Sequence, residues 1–475
     1  MKRIDQEKEK LRKKKVLVVG AGRSGICAAN LLRMIGCRAT LSEHSPDSHK
    51  GRLLKRMESK GVRVEIGPHK ESIFCEHDLI VLSPGVDPSI FALQKARSEN
   101  IPIISEVELG FRLIQQPVIA ITGTNGKTTT STLLDEIFRQ ARIKSFLGGN
   151  IGTPLVQAAM NDQDYAYIIA EISSFQLEAI TSFAPHIAAV LNFSPDHLDR
   201  YECFSEYIQT KGNIVKYQTM DDYLILNADD VQVASLAFKS RSKVYYFSQR
   251  KRVFPGIFIF RDWIHLCPYN AMEHRIIDVK ELSLKGRHNL DNVMAASLAA
   301  YLADVPLEAI KEAVRKFKPL EHRMEPVAKI NGALFINDSK GTNVGAMIKA
   351  VESFSEKIVL IGGGRDKGGD FAPLADYIPG RVKACVLIGE AKEKIAAVAS
   401  SYTKVVLADD LEGAVKVALT EASEGDIVLF SPGCASFDMF KNFEERGREF
   451  KRIVYQLGNI NAEIPIINNQ NNIFV

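Results

Sequence analysis

The sequence predicts an α/β protein of three domains with mostly parallel sheets. Short β-branched runs alternate with helical stretches along almost the whole chain, and the alternation restarts at two seams. At 475 residues the chain is also too long for one hydrophobic core and suits two or three domains of ordinary size.

The runs KVLVVG (15–20), DLIVLSPG (78–85), VIAITG (118–123), YIIAEIS (167–173), KIVLIGG (357–363), ACVLIG (384–389) and IVLFSPG (427–433) are nearly continuous apolar segments, the pattern of strands buried on both faces. Helices are expected at 25–36, 127–140, 290–303 and 436–456. Gln115-Gln116-Pro117 precedes a fresh strand–turn–helix start, and Lys318-Pro319 closes a helical stretch. The expected domains are therefore 1–116, 117–319 and 320–475. Strand-like alternation outweighs helix across 240–283, so the central domain is expected to carry a small extra sheet. The Asn-rich end, IPIINNQNNIFV, reads as a loose tail.

Composition narrows the function. A net charge of +4, with Lys and Arg spread along the chain, gives no basic groove for nucleic acid. The seven cysteines are scattered, with no C-x-x-C, as in a reducing cytosol. The charged start, MKRIDQEKEKLRKKK, lacks the apolar stretch of a signal peptide, and no apolar run approaches the roughly 20 residues that span a bilayer. A cytoplasmic monomer with no membrane partner is expected.

VVGAGRSG (18–25) is a G-x-G-x-x-G turn between a strand and a helix, followed by a second strand ending at Glu43, where a dinucleotide fold places a ribose-binding acid. The glycines only let backbone approach a diphosphate at a helix N-terminus, so the motif admits NAD or another nucleotide. TGTNGKTTT (122–130) is a shortened phosphate loop. Gly123 and Gly126 bare backbone N–H groups, Lys127 reaches toward β/γ-phosphates, and Thr128 offers a hydroxyl to Mg²⁺. The alternative is a chance Gly-Lys-Thr at a helix start.

AEISSFQL (170–177) puts Glu171 at a strand's C-terminal end, the ligand edge of an α/β sheet, unless it only caps the next helix. NFSPDHLDRY (192–201) carries Asp196, His197 and Asp199, either divalent-cation ligands or a hydrogen-bonded turn. In LKGRHNLDN (284–292), Asn289 and Asn292 read a base or cap a helix, and capping is the simpler reading. INDSKGTN (336–343), GGGRDKGGD (362–370) and SPGCASFDMFKNFEERG (431–447) are polar turns after strands that together suit a substrate cleft.

The ordered set TGTNGKTT, EISSFQL, DHLDRY, GRHNLDN, EHR, INDSKGTN and SPGCASFDMFKNFEERG, running from about Val16 to Gly458, resembles the Mur ligase superfamily, and within it the enzymes that add D-glutamate. That resemblance implies ATP and two Mg²⁺ as cofactors, and UDP-N-acetylmuramoyl-L-alanine and D-glutamate as substrates in peptidoglycan precursor synthesis. The first domain, Rossmann-like, would bind the UDP end, the second ATP and the third, also Rossmann-like, D-glutamate. The nicotinamide reading, which would leave the second loop idle, then falls. ATP would convert the substrate carboxylate to an acyl phosphate, which the D-glutamate amine attacks.

By the same resemblance, Thr124, Asn125, Gly126, Lys127, Thr128, Thr129 and Thr130 hold ATP phosphates, with Lys127 supporting the transferring one. Asn289, Asn292, Arg323 and Asp338 would complete the ATP site. Thr128 and Glu171 would bind the first Mg²⁺, and His197 with a carbamylated Lys211 the second. Gly22, Arg23, Ser24, Glu43, Ser83, Gly85 and Asn150 would take the UDP-substrate, and Lys340, Thr342, Lys367, Ser436 and Phe443 D-glutamate. After Thr40 the chain reads LSEHSPDS, where family members carry Asp followed by Thr-Arg.

Overall fold

In a computed structural model each of the apolar runs forms a strand, because a run with no polar alternation can satisfy its backbone only between neighbours and its side chains only under helices on both faces. The structure describes residues 2–46, 48–160, 164–197, 200–269, 272–284, 286–318, 320–366 and 368–458. The expected tail and Asp199 lie outside the described residues.

The chain packs as two compact units. One comprises the chain up to Phe193 with Ser205–Leu282 and Asn289–Phe317; the other comprises Ser194–Phe204, Ser283–His288 and the chain from Lys318 onward.

The first unit holds two sheets. Strands β1 (Lys15–Val19), β2 (Arg38–Glu43), β3 (Arg63–Ile66), β4 (Leu79–Leu82) and β5 (Ile103–Ser105) are all parallel in the order β3-β2-β1-β4-β5. Alternate residues of β1 feed opposite cores: Val16 and Val18 pack under one layer, Leu17 and Val19 under the other. Strand order reverses between β1 and β4, which opens a crevice at their C-terminal ends.

The central sheet contains β6 (Val118–Thr122), β7 (Ser145–Gly149), β8 (Tyr167–Glu171), β9 (Ile187–Val190), β10 (Tyr223–Asn227), β11 (Lys243–Ser248), β12 (Gly256–Phe260), β13 (Trp263–Cys267) and β14 (His274–Asp278). Its order is β14-β13-β12-β11-β10-β9-β6-β8-β7. The small extra sheet expected over 240–283 is thus not separate. Its strands continue the central sheet, parallel as far as β12 and antiparallel from there, because β11 hydrogen-bonds both β10 and β12.

In the second unit, β15 (Glu325–Ile330), β16 (Ala333–Asn337), β17 (Ile358–Gly363), β18 (Val382–Ile388), β19 (Lys404–Leu407) and β20 (Ile427–Phe430) run in the order β15-β16-β20-β17-β18-β19. Among the described strands of this sheet only the β15–β16 pair is antiparallel; it turns on Asn331-Gly332, both with positive φ, as a two-residue hairpin loop requires. The helix expected over 436–456 begins later, at Phe443. Asn442 is extended there and its side chain accepts the Glu445 N–H, so residues 431–442 remain a turn.

One carboxylate ties the two sheets of the first unit together. Glu108, on the helix Glu106–Leu113 that follows β5, is fully buried. It accepts the backbone N–H groups of Thr181, Ser182 and Phe183 at 3.0–3.1 Å, both hydroxyls of Thr181 and Ser182, and the Arg112 guanidinium at 2.8 Å. The charged leader forms the helix Lys2–Arg12 on the same support, with Leu11 buried and Arg3 donating to the Ile114 carbonyl.

Burial pushes the Glu108 carboxyl up, but the Ser182, Arg112 and backbone donors outweigh it and hold it below the usual range. Its contribution to stability is therefore present above the unfolded carboxylate pKa and lost as pH falls through the lower folded value. Glu108→Ala should cost about 3–5 kcal/mol, because it strands buried donors. Denaturant unfolding at neutral pH measures that loss, and the difference from wild type should shrink in acid.

Candidate functional site

Strand β6 runs into the turn Gly123–Gly126, and the helix Lys127–Gln140 starts on its far side. Gly126 caps that helix with φ +87°, a left-handed conformation, and a Cβ there would sit 2.2 Å from the Asn292 amide oxygen. Asn192 braces the turn, accepting the Asn125 N–H on its side chain at 2.9 Å and the Thr124 N–H on its carbonyl at 2.9 Å. Thr130 donates to Asn292, whose amide donates to Asn289. The two asparagines lie within the helix Arg287–Leu302 and fasten it to the phosphate loop, which is more than the expected capping. Lys127 lies over the loop, donating to the carbonyls of Gly123 and Thr124 at 2.8 and 2.9 Å.

Glu171, at the end of β8, faces this loop. Its carboxylate accepts the Thr128 hydroxyl at 2.8 Å on one oxygen and the Asn150 amide at 2.8 Å on the other. It does not cap the following helix. Ser173 does, in a reciprocal box with Gln176, which is the physical content of the SSFQ stretch. Two hard oxygen donors beside a helix N-terminus that attracts phosphate suit Mg²⁺.

Lys211 is 2% exposed and points inward, donating to the Gly123 carbonyl at 3.0 Å, with the Tyr207 ring 5.0 Å away. The Tyr207 hydroxyl donates to Thr124. A lysine on an exposed helix face is thereby excluded.

The first glycine turn sits in the crevice of the N-terminal sheet. A Cβ on Gly25 would fall 1.8 Å from the Gly20 carbonyl, so the helix can start this close to β1 only on glycine. Ser83 donates to that same carbonyl. Glu43 accepts the Ala21 N–H at 2.7 Å and is approached by Lys50 at 3.4 Å. Burial raises its pKa, but the Ala21 N–H and Lys50 prevail and leave it low. Gly22, Arg23 and Gly85 line the exposed rim, Ser24 is half-buried, and Arg23 donates to the Gly152 carbonyl.

The second unit gathers the remaining candidates, except Lys367, which lies outside the described residues. Asp196, His197, Thr342, Asn343, Asp366 and Gly369 are among the residues lining a cavity of about 430 Å³. Asp196 accepts the Asn343 amide at 3.1 Å, and His197 adopts φ +56°. Asp338 is buried and accepts the Ser431 hydroxyl at 2.8 Å; burial pushes its carboxyl up to about 7, against the pull of Ser431, Met324 and Arg323. The Lys340 ammonium lies 3.9 Å from the Phe443 ring centroid. Ser436 is buried.

The sequence reading missed Asn192 and Arg446. Arg446 is 1% exposed and donates to the carbonyls of Ser339, Cys434 and Ala435, stitching two of the polar turns. Burial lowers its pKa to about 10. The available signal is position: Arg446 falls in helical register with Phe450 and Val454 on the buried stripe of its helix.

A braced phosphate loop with a carboxylate facing its threonine, a second glycine turn on a doubly wound sheet, and a third α/β domain with a polar cleft define a multidomain phosphate-binding protein. Residues 14–105 match the Mur ligase MurD-like N-terminal domain, 121–300 the Mur ligase middle domain and 322–434 the Mur ligase glutamate ligase domain. The UDP-N-acetylmuramoylalanine–D-glutamate ligase of Geotalea daltonii is 44% identical over 444 residues, 94% of this chain and 98% of that one. That of Koribacter versatilis is 43% identical over 447 residues, 94% and 98% of the two chains. Among solved structures, MurF from Acinetobacter baumannii superposes with a TM-score of 0.62 at 16% identity, covering 94% of this chain and 98% of that one. A pseudomurein peptide ligase type C from Methanothermus fervidus gives 0.59 at 20%, covering 94% and 100%. The chain belongs to the Mur ligase family.

Gly126→Ala should strain the loop at its left-handed residue and displace Asn292. The expected outcome is a folded protein whose melting temperature does not rise with Mg²⁺ and ADP, whereas that of wild type should rise with both together.

Proposed function

We propose that this chain is an ATP-dependent ligase joining D-glutamate to UDP-N-acetylmuramoyl-L-alanine in cytoplasmic peptidoglycan precursor synthesis. The observation that carries the reading is that relatives bearing this name match it across 94% of its length, with the glutamate ligase domain matched at 322–434. Residues 1–116 would hold the UDP-substrate, 117–319 ATP and 320–475 D-glutamate.

The substrate carboxylate repels both the triphosphate and the incoming amine, so the site must supply neutralisation and alignment. Phosphoryl transfer from ATP gives an acyl phosphate and ADP; amine attack and collapse of the tetrahedral adduct give the amide and phosphate. Backbone N–H groups of 124–130 would cradle phosphate oxygens. Lys127 would exchange its two loop carbonyls for the transferring phosphate, a stronger, charge-assisted partner. Asn289 and Asn292 would face adenine, and Arg323 with Asp338 would complete the nucleotide site.

Thr128 and Glu171 would hold Mg²⁺, and the Thr128–Glu171 contact of 2.8 Å supports that assignment. His197 and a carbamylated Lys211 would hold a second ion, the carbamate turning a buried donor into an anionic oxygen ligand. Mg²⁺ supplies charge neutralisation of the phosphates. Gly22, Arg23, Ser24, Glu43, Ser83 and Gly85 would bind the UDP end, and Asn150 would meet the acyl end. Lys340, Thr342, Lys367, Ser436 and Phe443 would take D-glutamate, its carboxylates suiting the cations and hydroxyls there.

Phosphate release from ATP and Mg²⁺ with UDP-N-acetylmuramoyl-L-alanine should depend on D-glutamate and not on L-glutamate, L-lysine or diaminopimelate. Release with another amino acid would replace the substrate, and none at all would sink the ligase reading. With ¹³C-bicarbonate, NMR should show a carbamate carbon in wild type and none in Lys211→Arg.

A further inference from the structure

We infer that Glu106 is a positioning residue for the ligase reaction, gripping the loop 149–156 that runs from the carboxylate facing the phosphate loop to the first glycine turn. This rests on the ligase reading above.

Glu106 opens the helix Glu106–Leu113 and is 1% exposed. One carboxyl oxygen accepts the Val156 N–H at 2.8 Å, where the short 3₁₀ turn Leu155–Met160 begins. The other is buried with no hydrogen-bond partner. Leaving an acceptor bare in the interior costs about 1–3 kcal/mol, and an apolar side chain would fill the position without that cost. Burial accordingly pushes the Glu106 carboxyl up to about 7. What only the carboxyl supplies is its hold on the backbone of the 3₁₀ turn.

That hold matters because the loop has no slack. Thr153 accepts the Gly149 N–H at 2.7 Å, and a Cβ on Gly148 would lie 2.5 Å from the Thr153 carbonyl oxygen. A Cβ on Gly149 would lie 2.3 Å from the Glu171 carbonyl. Asn150 is then fixed twice on Glu171, through its N–H and its amide, both at 2.8 Å. Between these points Gly152 accepts from Arg23 of the first glycine turn. The loop is therefore held at three places: the carboxylate facing Thr128, the Arg23 guanidinium, and Glu106. Releasing the third lets Val156 drift, and the shift passes through a closed turn to Asn150 and the Glu171 carboxylate. Misplacing reacting groups by about 1 Å costs on the order of a hundredfold in rate.

The test compares Glu106→Ala and Glu106→Gln with wild type in the phosphate-release assay, alongside amide hydrogen exchange. Glu106→Ala should lower kcat about 10–100-fold, as removing an outer-shell partner does. It should also raise KM for the UDP-substrate and leave KM for D-glutamate unchanged. Glu106→Gln keeps an acceptor oxygen and should stay near wild type. Exchange at residues 150–156 should speed up in the alanine variant only. Wild-type kinetics in Glu106→Ala would overturn the inference, as would a glutamine variant equally impaired or D-glutamate KM moving as much as the other. An inactive wild type would instead overturn the ligase reading, while the exchange comparison still reports on the Glu106 grip.

Discussion

Glu171 spans two loops with one carboxylate, and the phosphate-binding end of the central sheet depends on that span. One oxygen takes the Thr128 hydroxyl and the other the Asn150 amide, so the first turn after β6 and the loop after β7 are fixed to the end of β8. The geometry follows from parallel pairing. Strands β7, β8 and β6 are adjacent and parallel, so their C-terminal ends emerge side by side. A side chain at the last position of the middle strand is the one able to reach both neighbours. An aspartate there would be shorter by a methylene, and a glutamine would turn one acceptor into a donor facing the Asn150 amide.

Glycine and buried charge divide the remaining task. Glycines appear where backbone must touch backbone: Gly25 against Gly20, and Gly149 against Glu171. Buried carboxylates and guanidinium appear where a turn must be held without regular pairing. Glu108 satisfies three consecutive N–H groups of 181–183, Glu106 holds Val156, and Arg446 satisfies carbonyls of three residues in two turns. Each supplies from a side chain the partners that a strand or helix would supply from its own backbone.

Strands and the phosphate loop were legible because their signals are local. A run such as VIAIT is uniformly apolar only if both faces are covered, and Gly-Lys-Thr after it marks a helix start with bared N–H groups. The helix 127–140 was legible to the residue. Sheet membership was not, because whether β12–β14 pair with β11 or with one another alone is a long-range choice that alternation does not encode. The late start at Phe443 was obscured since residues 436–442 include good helix formers, and only the Asn442 cap decides the boundary. Glu106 and Glu108 are two acids in an unremarked SEVELG stretch; nothing nearby in sequence reveals donors lying 50 and 73 to 75 residues away.

The same distinction explains why chemistry alone could not sort the polar turns of the third domain. INDSKGTN looks like an ordinary polar turn, yet Asp338 is buried against Ser431, its carboxyl raised to about 7, and Ser339 accepts from Arg446. These groups face inward and frame the turn, leaving Lys340 over the Phe443 ring and Thr342 at the cavity wall. A turn whose acid and one serine are engaged in its own support presents fixed groups at the remaining positions. The polar letters of such a motif thus divide by burial into those packed inward beneath the turn and those left at the cavity wall, a division set by packing and visible only once the strands beneath it are in place.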